Sequence, residues 1–176
     1  MNHILLERRF EPCLSPQDFV QIALDAADCL PLYRVEWRES LLSADGSRLL
    51  CRFEAPDAES VRQVARDDRT VAKVAWVGSV HDTGREGLAN VLVSRQFDQP
   101  TTVEAMQAIE DAGAWCLKQR QVTFLRTFFS ADGKRMLCLY RAPDAESVRE
   151  AQREAGMPVE RVWACRNFTP ENLGAA

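Results

Sequence analysis

The chain of 176 residues lacks several features by which whole classes of protein are recognised. It has no long apolar run, and no charged segment followed by an apolar one after Met1, so we expect neither a membrane span nor a secretory leader. Its net charge of −4 leaves no excess of basic residues, which is the usual electrostatic footprint of nucleic-acid binding. The sequence therefore predicts a protein without a membrane or nucleic-acid partner.

Paired cysteines and common catalytic motifs are also missing. None of the six cysteines stands in a Cys-x-x-Cys pair, the spacing of many zinc sites and redox centres. In the absence of an export signal, we expect free, reduced thiols and a cytoplasmic location. The nucleophile elbow, the phosphate-binding loop and the His-Glu-x-x-His motif do not occur. The sequence leaves open whether the protein is an enzyme.

A long internal repeat is the strongest feature that is present. The segment from Ser43 to Arg62, which includes Ser-Ala-Asp-Gly and Ala-Pro-Asp-Ala-Glu-Ser-Val-Arg, returns with few changes from Ser130 to Arg149. Matched residues lie 87 positions apart throughout, without a gap. A period this long that occurs twice indicates a duplicated domain, because solenoids need three or more short repeats. We predict a first domain at residues 1–80, a linker at 81–87 and a second domain at 88–176.

Each half shows the same order of predicted elements. Alternating residues from Ile4 to Phe10 predict a half-buried strand, and Ser15 predicts the start of a helix. Asp45-Gly46 predicts a tight turn between two strands, and Asp57 predicts the cap of a second helix. With a fourth strand this gives β-α-β-β-α-β, the ferredoxin-like motif. The predicted fold class is α+β: two tandem ferredoxin-like (βαββαβ) domains with antiparallel sheets in the order 4-1-3-2.

The helices cover one face of each predicted sheet, so the other face needs a partner. We expect the two sheets to pack face to face, as in the dimeric α/β barrels, so that one chain forms an intramolecular pseudo-dimer. A linker of about ten residues spans roughly 30 Å when extended, which is long enough for this arrangement. Further oligomerisation is left open.

The repeated motifs resemble a known family. They are Leu6-Glu7-Arg8 before an aromatic residue, Ser-Ala-Asp-Gly at the hairpin, a cysteine in the third strand and Ala-Pro-Asp-Ala-Glu-Ser-Val-Arg. They resemble a family of small bacterial domains of unknown function, known chiefly through a nickel-binding protein with a ferredoxin-like fold. The resemblance covers nearly all of both halves and implies this fold and nickel as a ligand. The second half departs from the pattern at Ser94, which stands where the first half has Glu7.

The two histidines of the chain suggest one metal site. If the first and fourth strands are antiparallel neighbours, His3 and His81 lie at the same end of one sheet, where the third strand ends at Glu54. Imidazole and carboxylate groups suit nickel or zinc, and no organic cofactor is predicted. The alternative is that both histidines are exposed terminal residues without a common role. The second half has no histidine or carboxylate at these positions, so the site would occur once per chain.

A second candidate site involves charged residues. Glu7, Arg38 and Arg52 are expected on the sheet face away from the helices, where they would line a polar pocket for a small anionic ligand. The alternative is a solvated or inter-sheet ion pair. Cys51 and Cys138 share one repeat position between apolar residues, and no basic neighbour is evident, so we interpret them as buried packing residues.

Three functions remain in order of preference. The first is a small binding protein for a transition metal, nickel before zinc. The second is a lumen-based enzyme or small-molecule binder of the dimeric α/β barrel type. The third is an interaction module without a small ligand. Fold alone does not decide among them.

Overall fold

A computed structural model describes residues 1–173 of the chain. In this part the protein is α+β, with eight antiparallel β-strands and five α-helices. No helix within these residues combines the length and the apolar character that a membrane crossing requires. The chain divides into two compact units, the first made of Met1–Gly78 with the segment from Arg166 onward, the second of Ser79–Cys165.

The first unit follows the predicted order of elements. These are β1 (Asn2–Phe10), α1 (Pro16–Ala26), a 3-10 turn (Pro31–Tyr33), β2 (Glu36–Ser43), β3 (Arg48–Ala55), α2 (Ala58–Val64) and most of β4 (Thr70–Asp82). Strand β1 pairs with β3 and with β4, and β3 also pairs with β2. The resulting order β2-β3-β1-β4 is the predicted order read from the opposite edge. Strand β4 continues to Asp82, into the segment predicted as the linker.

The second unit repeats this arrangement with one more helix. Its elements are β5 (Val91–Gln96), α3 (Val103–Ala112), α4 (Ala114–Gln119), β6 (Thr123–Ser130), β7 (Arg135–Arg141), α5 (Ala145–Glu154) and β8 (Arg161–Phe168), the last of which leaves this unit after Cys165. Strand β5 pairs with β7 and β8, and β6 pairs with β7. Gly113 separates α3 from α4, at a point where an added Cβ would lie 2.4 Å from the Cβ of Ala155.

The predicted hairpin turns form where Asp-Gly stands in the sequence. Gly46 and Gly133 have φ angles of 72° and 69°, a region that is costly for residues with a Cβ. A Cβ at Gly46 would also lie 2.0 Å from the backbone oxygen of Leu14, so the chain before α1 packs directly against this turn. The repeated Asp-Gly therefore sets both the turn and its close packing.

Side-chain caps fix where α1 and α3 begin. Ser15 accepts a hydrogen bond from the backbone nitrogen of Asp18, whose carboxylate bonds back to the Ser15 backbone, so the predicted start of α1 is confirmed. Thr101 and Glu104 match the S/T-x-x-E capping-box pattern, which predicts a cap at Thr101, but helix α3 begins one residue later. Its cap is Thr102, whose Oγ1 accepts from the backbone nitrogen of Ala105 at 3.2 Å. An S/T-x-x-E match locates a helix start only to within a residue or two.

Each unit has an apolar core between its helices and one face of its strands. In the first unit the core includes Ile4, Leu6, Phe10, Phe19, Cys51, Phe53, Val61 and Phe168. In the second it includes Val91, Val93, Met106, Cys138, Tyr140 and Val148. Cys51 and Cys138 are 2% and 0% exposed, so their predicted burial is confirmed. One charged residue interrupts each apolar face: Arg8 in β1 and Arg95 in β5, 5% and 2% exposed.

Candidate functional site

Two of the predicted metal ligands lie together in the first unit. His3 and Glu54 are register partners on β1 and β3, and His3 Nδ1 lies 3.7 Å from Glu54 Oε1. This nitrogen is buried and has no hydrogen-bond partner among residues 1–173. The other carboxylate oxygen, Oε2, accepts a bond of 2.8 Å from Arg38, which lowers the pKa of Glu54 below its usual value. Glu54 therefore carries a full negative charge at neutral pH and has one oxygen facing the imidazole.

The third predicted ligand belongs to the other compact unit. His81 is exposed, and its Nε2 lies 2.7 Å from Ser79 Oγ. On β4, the residue that pairs with His3 is Gly78, the last of the first unit's main segment. Within the part of the chain that the structure describes, no three His, Cys, Asp or Glu side chains form a group that could hold a metal ion.

The three residues of the second predicted site have separate partners. Glu7 Oε1 accepts a hydrogen bond of 2.7 Å from Trp76 Nε1. Arg52 Nε donates to Glu39 Oε1 at 2.9 Å, and Glu39 is buried. Arg38 bonds the carboxylate that faces the first histidine. These contacts are ion pairs and hydrogen bonds within the first unit, and the predicted pocket for an anionic ligand stays a prediction.

A cavity of about 390 Å³ lies between the helices and the strands of the first unit. Pockets that hold small molecules have volumes of about 300 to 1,000 Å³ and mostly apolar walls. Here the apolar walls come from α1, the 3-10 turn that follows it, β2, β3 and α2, through Phe19, Ile22, Leu30, Trp37, Phe53 and Val64. Three side chains bring polar atoms to the strand side of the cavity: Arg8, Ser40 and Cys51. We call this space the helix–sheet cavity.

Arg8 is the charged group of the helix–sheet cavity. Its Nη2 lies 3.8 Å from Cys51 Sγ, and its Nε and Nη1 are buried without a hydrogen-bond partner among the described residues. Its guanidinium carbon also lies 5.1 Å from the centre of the Phe10 ring. An isolated buried charge costs several kcal/mol unless an opposite charge and hydrogen bonds compensate it. The guanidinium therefore has a positive charge and two unused N–H donors with which it can bind an anion.

Two neutral groups next to Arg8 are already bonded to each other. Ser40 Oγ donates to Cys51 Sγ at 2.9 Å and accepts from Trp37 Nε1 at 2.9 Å. The sequence interpretation that Cys51 has no basic neighbour is wrong, because β1 carries Arg8 past β3 on the same face. Cys51 nevertheless remains a packed thiol in a small polar group.

The importance of Arg8 was missed in the sequence, although a signal was present. It shares its strand face with Ile4, Leu6 and Phe10, all three buried. A charged residue inside such an apolar series is unusual, and the repeat places another at Arg95. In the alternation of β1, Arg8 is the exception on the apolar face.

Two repeated α+β units, one with an open helix–sheet cavity, define a tandem protein of duplicated small domains. The family described as nickel responsive protein SCO4226-like matches residues 5–78 and again residues 92–164. The chain belongs to this family, and the two matched regions are consistent with a tandem duplication. Comparison with curated proteins finds no match.

Solved structures resemble the chain at low sequence identity. SCO4226 from Streptomyces coelicolor A3(2) is 19% identical, covers 42% of this chain and 91% of its own, and has a TM-score of 0.38. The putative chlorite dismutase TA0507 is 7% identical over 99% of both chains, with a TM-score of 0.54. A putative monooxygenase from Lactobacillus acidophilus NCFM is 9% identical over 95% of this chain and 94% of its own, with a TM-score of 0.47. At these identities the likeness concerns the fold alone.

Proposed function

We propose that this protein is a small binding protein for a transition metal ion, nickel before zinc. His3 and Glu54 would supply two ligands, and the predicted role of His81 as a third is tested separately. The observation that carries the proposal is the buried Nδ1 of His3, which has no hydrogen-bond partner among the described residues and faces an ionised carboxylate at 3.7 Å. Membership of a family described as nickel responsive supports nickel as the first ion to test.

The chemistry of these groups suits the proposal. A neutral imidazole nitrogen and a carboxylate oxygen are common ligands of nickel and zinc, and both must be free of protons to bind. Arg38 lowers the pKa of Glu54 and occupies Oε2, so Oε1 is the oxygen left for a metal. The same arginine places a positive charge close to the ion, which weakens binding. We therefore expect modest affinity, with water completing the coordination.

Calorimetric titration of untagged protein with Ni²⁺ and Zn²⁺ tests this proposal. The parent protein should bind one Ni²⁺ per chain, and His3→Ala and Glu54→Gln should each weaken binding at least tenfold. Glu36→Gln is the matched control, because Glu36 also pairs with Arg38 at 2.7 Å but is not the carboxylate that faces the histidine. Unchanged binding in His3→Ala would refute the assignment. A loss with His3→Ala but not with His81→Ala would reduce the site to two protein ligands.

The cavity beside Arg8 favours a second candidate function, the binding of a small molecule. This cavity lies on the helix side of the strands, so it is a different site from the predicted group of Glu7, Arg38 and Arg52. The finer architecture, two tandem ferredoxin-like domains with their sheets face to face, stays a prediction. The cytoplasmic location stays one as well.

A further inference from the structure

The second unit shows how a buried arginine at this strand position is satisfied. Arg95 Nη2 donates to Gln152 Oε1 at 2.7 Å and approaches Tyr140 Oη at 3.4 Å, and its Nη1 donates to the backbone oxygen of Pro158 at 2.6 Å. The carboxylate of Glu110 lies 3.9 Å from Nη2 and accepts a bond of 2.9 Å from Tyr140 Oη. One carboxylate and three neutral acceptors thus surround the guanidinium, and only its Nε is buried without a hydrogen-bond partner among the described residues.

The first unit lacks every one of these side-chain partners. At the equivalent positions, 87 residues earlier, the side chains have no polar atom: Ala23 for Glu110, Phe53 for Tyr140 and Ala65 for Gln152. All three line the helix–sheet cavity. The cavity therefore occupies the space that the partners of the arginine fill in the second unit, and Arg8 remains on its strand side.

The units also differ in the ion pairs at three further equivalent positions. In the second unit, Arg120 at the end of α4 forms ion pairs with Glu150 and Glu154 of α5. The first unit has Tyr33, Gln63 and Asp67 at these positions, and this set has no cation to form such a bridge. These three residues line the helix–sheet cavity, together with exposed Asp25 and Arg66.

The two described pockets differ in size and lining. In the second unit, a pocket of about 70 Å³ is lined by Glu110, Phe124 and Thr127, and also by the segment from His81 to Thr83, which has no counterpart in the helix–sheet cavity. The first unit has Ala23, Trp37 and Ser40 at these positions, and its cavity measures about 390 Å³. The larger value lies within the range of small-molecule pockets, and the smaller one lies well below it.

We propose that the helix–sheet cavity binds a small organic monocarboxylate, whose carboxylate pairs with Arg8 as the carboxylate of Glu110 pairs with Arg95. One guanidinium balances one negative charge, which favours a monocarboxylate over phosphate or a dicarboxylate. The apolar walls favour a ligand with an aliphatic or aromatic body. Ser40 and Cys51 supply the other polar groups beside the carboxylate.

The site is independent of the proposed metal site. The side chains of His3 and Glu54 are not among those that line the cavity. A titration in the presence of EDTA removes metal ions, and the His3→Ala variant should keep its carboxylate binding. Failure of one proposal therefore leaves the other open to its own test.

The test is a titration of untagged full-length protein, followed by calorimetry and by NMR chemical shifts. The probes are phenylacetate and octanoate, with 2-phenylethanol and 1-octanol as neutral counterparts. We expect at least one carboxylate to bind at one per chain and at least tenfold more tightly than its alcohol. Phosphate and chloride should not compete at equal concentration. The tighter of the two carboxylates reports whether the body of the natural ligand is aromatic or aliphatic.

Three variants decide the role of the arginine. Arg8→Met should abolish carboxylate binding, whereas Arg9→Met, on the next residue of β1 and exposed, should leave it unchanged. The triple variant Ala23→Glu, Phe53→Tyr, Ala65→Gln keeps Arg8 and supplies the partner set of the second unit. It should fold, raise the thermal midpoint and bind neither carboxylate, which keeps the test valid if Arg8→Met does not fold.

Several results would overturn the proposal. They are an absence of binding by both carboxylates at millimolar concentration, equal affinity for acids and alcohols, and equal competition by phosphate. Unchanged carboxylate binding in the triple variant would also overturn it, because a ligand that bound in the cavity would be displaced by the three introduced side chains.

Discussion

The two units carry the same buried arginine and treat it in opposite ways. In the second unit, Arg95 is held by a glutamate, a tyrosine and a glutamine that come from α3, β7 and α5. In the first, Arg8 meets a thiol at 3.8 Å, and a cavity takes the place of the other partners. Because the two units have the same arrangement of strands, the main difference around the two arginines is the set of side chains that contact them. One copy stabilises itself internally, and the other keeps a charge available for a ligand.

The largest effect should come from removing the carboxylate that faces Arg95. Glu110→Ala leaves a buried guanidinium without its counter-charge, which costs about 3 to 5 kcal/mol when one partner of a buried pair is lost. Urea denaturation measures this loss. Glu110→Gln also removes the negative charge but keeps an acceptor for Tyr140, so it should cost less than Glu110→Ala. A cost below about 1 kcal/mol for Glu110→Ala would show that Arg95 does not depend on this group.

A smaller effect should follow from overpacking the contact between Gly113 and Ala155 in the second unit. Gly113→Ala would place a Cβ 2.4 Å from the Cβ of Ala155, and overpacking of this kind costs about 1 to 3 kcal/mol. The first unit has Ala26 at the equivalent position, where Ala26→Gly should cost at most about 1 kcal/mol through helix propensity. Equal and small effects of both changes would mean that the helices approach each other no more closely in the second unit than in the first.

The smallest effect should be a difference in pH dependence between the first helices of the units. Hydrogen bonds from the side chain and backbone of Ser15 lower the pKa of Asp18 to about 2. An unfolded aspartate has a pKa of about 3.9, so the stabilisation of α1 is present above that pH and is lost as the pH falls towards 2. The second unit has Ala105 at this position. Amide exchange at pH 5 and pH 2.5 should therefore show a selective loss of protection in α1, which Ser15→Ala removes.

Contacts between neighbouring residues and between strand ends could be predicted from the sequence. The hairpin turns follow from the two residues Asp45 and Gly46, and the caps follow from three or four neighbours, so these were predicted to within a residue. The contact of His3 with Glu54 was expected because the start of β1 lies beside the end of β3, and the structure pairs the two residues. Local patterns and strand ends are short-range or topological information, which one sequence contains.

The environment of Arg8 could not be predicted from local patterns or strand ends. The partners that Arg8 lacks would stand at positions 23, 53 and 65. These positions lie in α1, in β3 and at the end of α2, and they meet only in the folded unit. Periodicity gives the face on which a side chain lies, but not what stands opposite to it. The comparison of the two halves, residue by residue, would have shown the loss of Glu110, Tyr140 and Gln152 together. Without the fold, nothing marked these three differences among many others.

The return of the chain to the first unit has a consequence for synthesis. Phe168 is 1% exposed in the first unit's core, where its ring centre lies 4.6 Å from that of Phe19. During translation, the first unit therefore lacks a core residue until the chain has been made about 90 residues beyond Gly78, the end of its main segment. The packing of Phe19, which also lines the cavity, is completed only then. The first unit therefore completes its core only after the residues of the second unit have been synthesised.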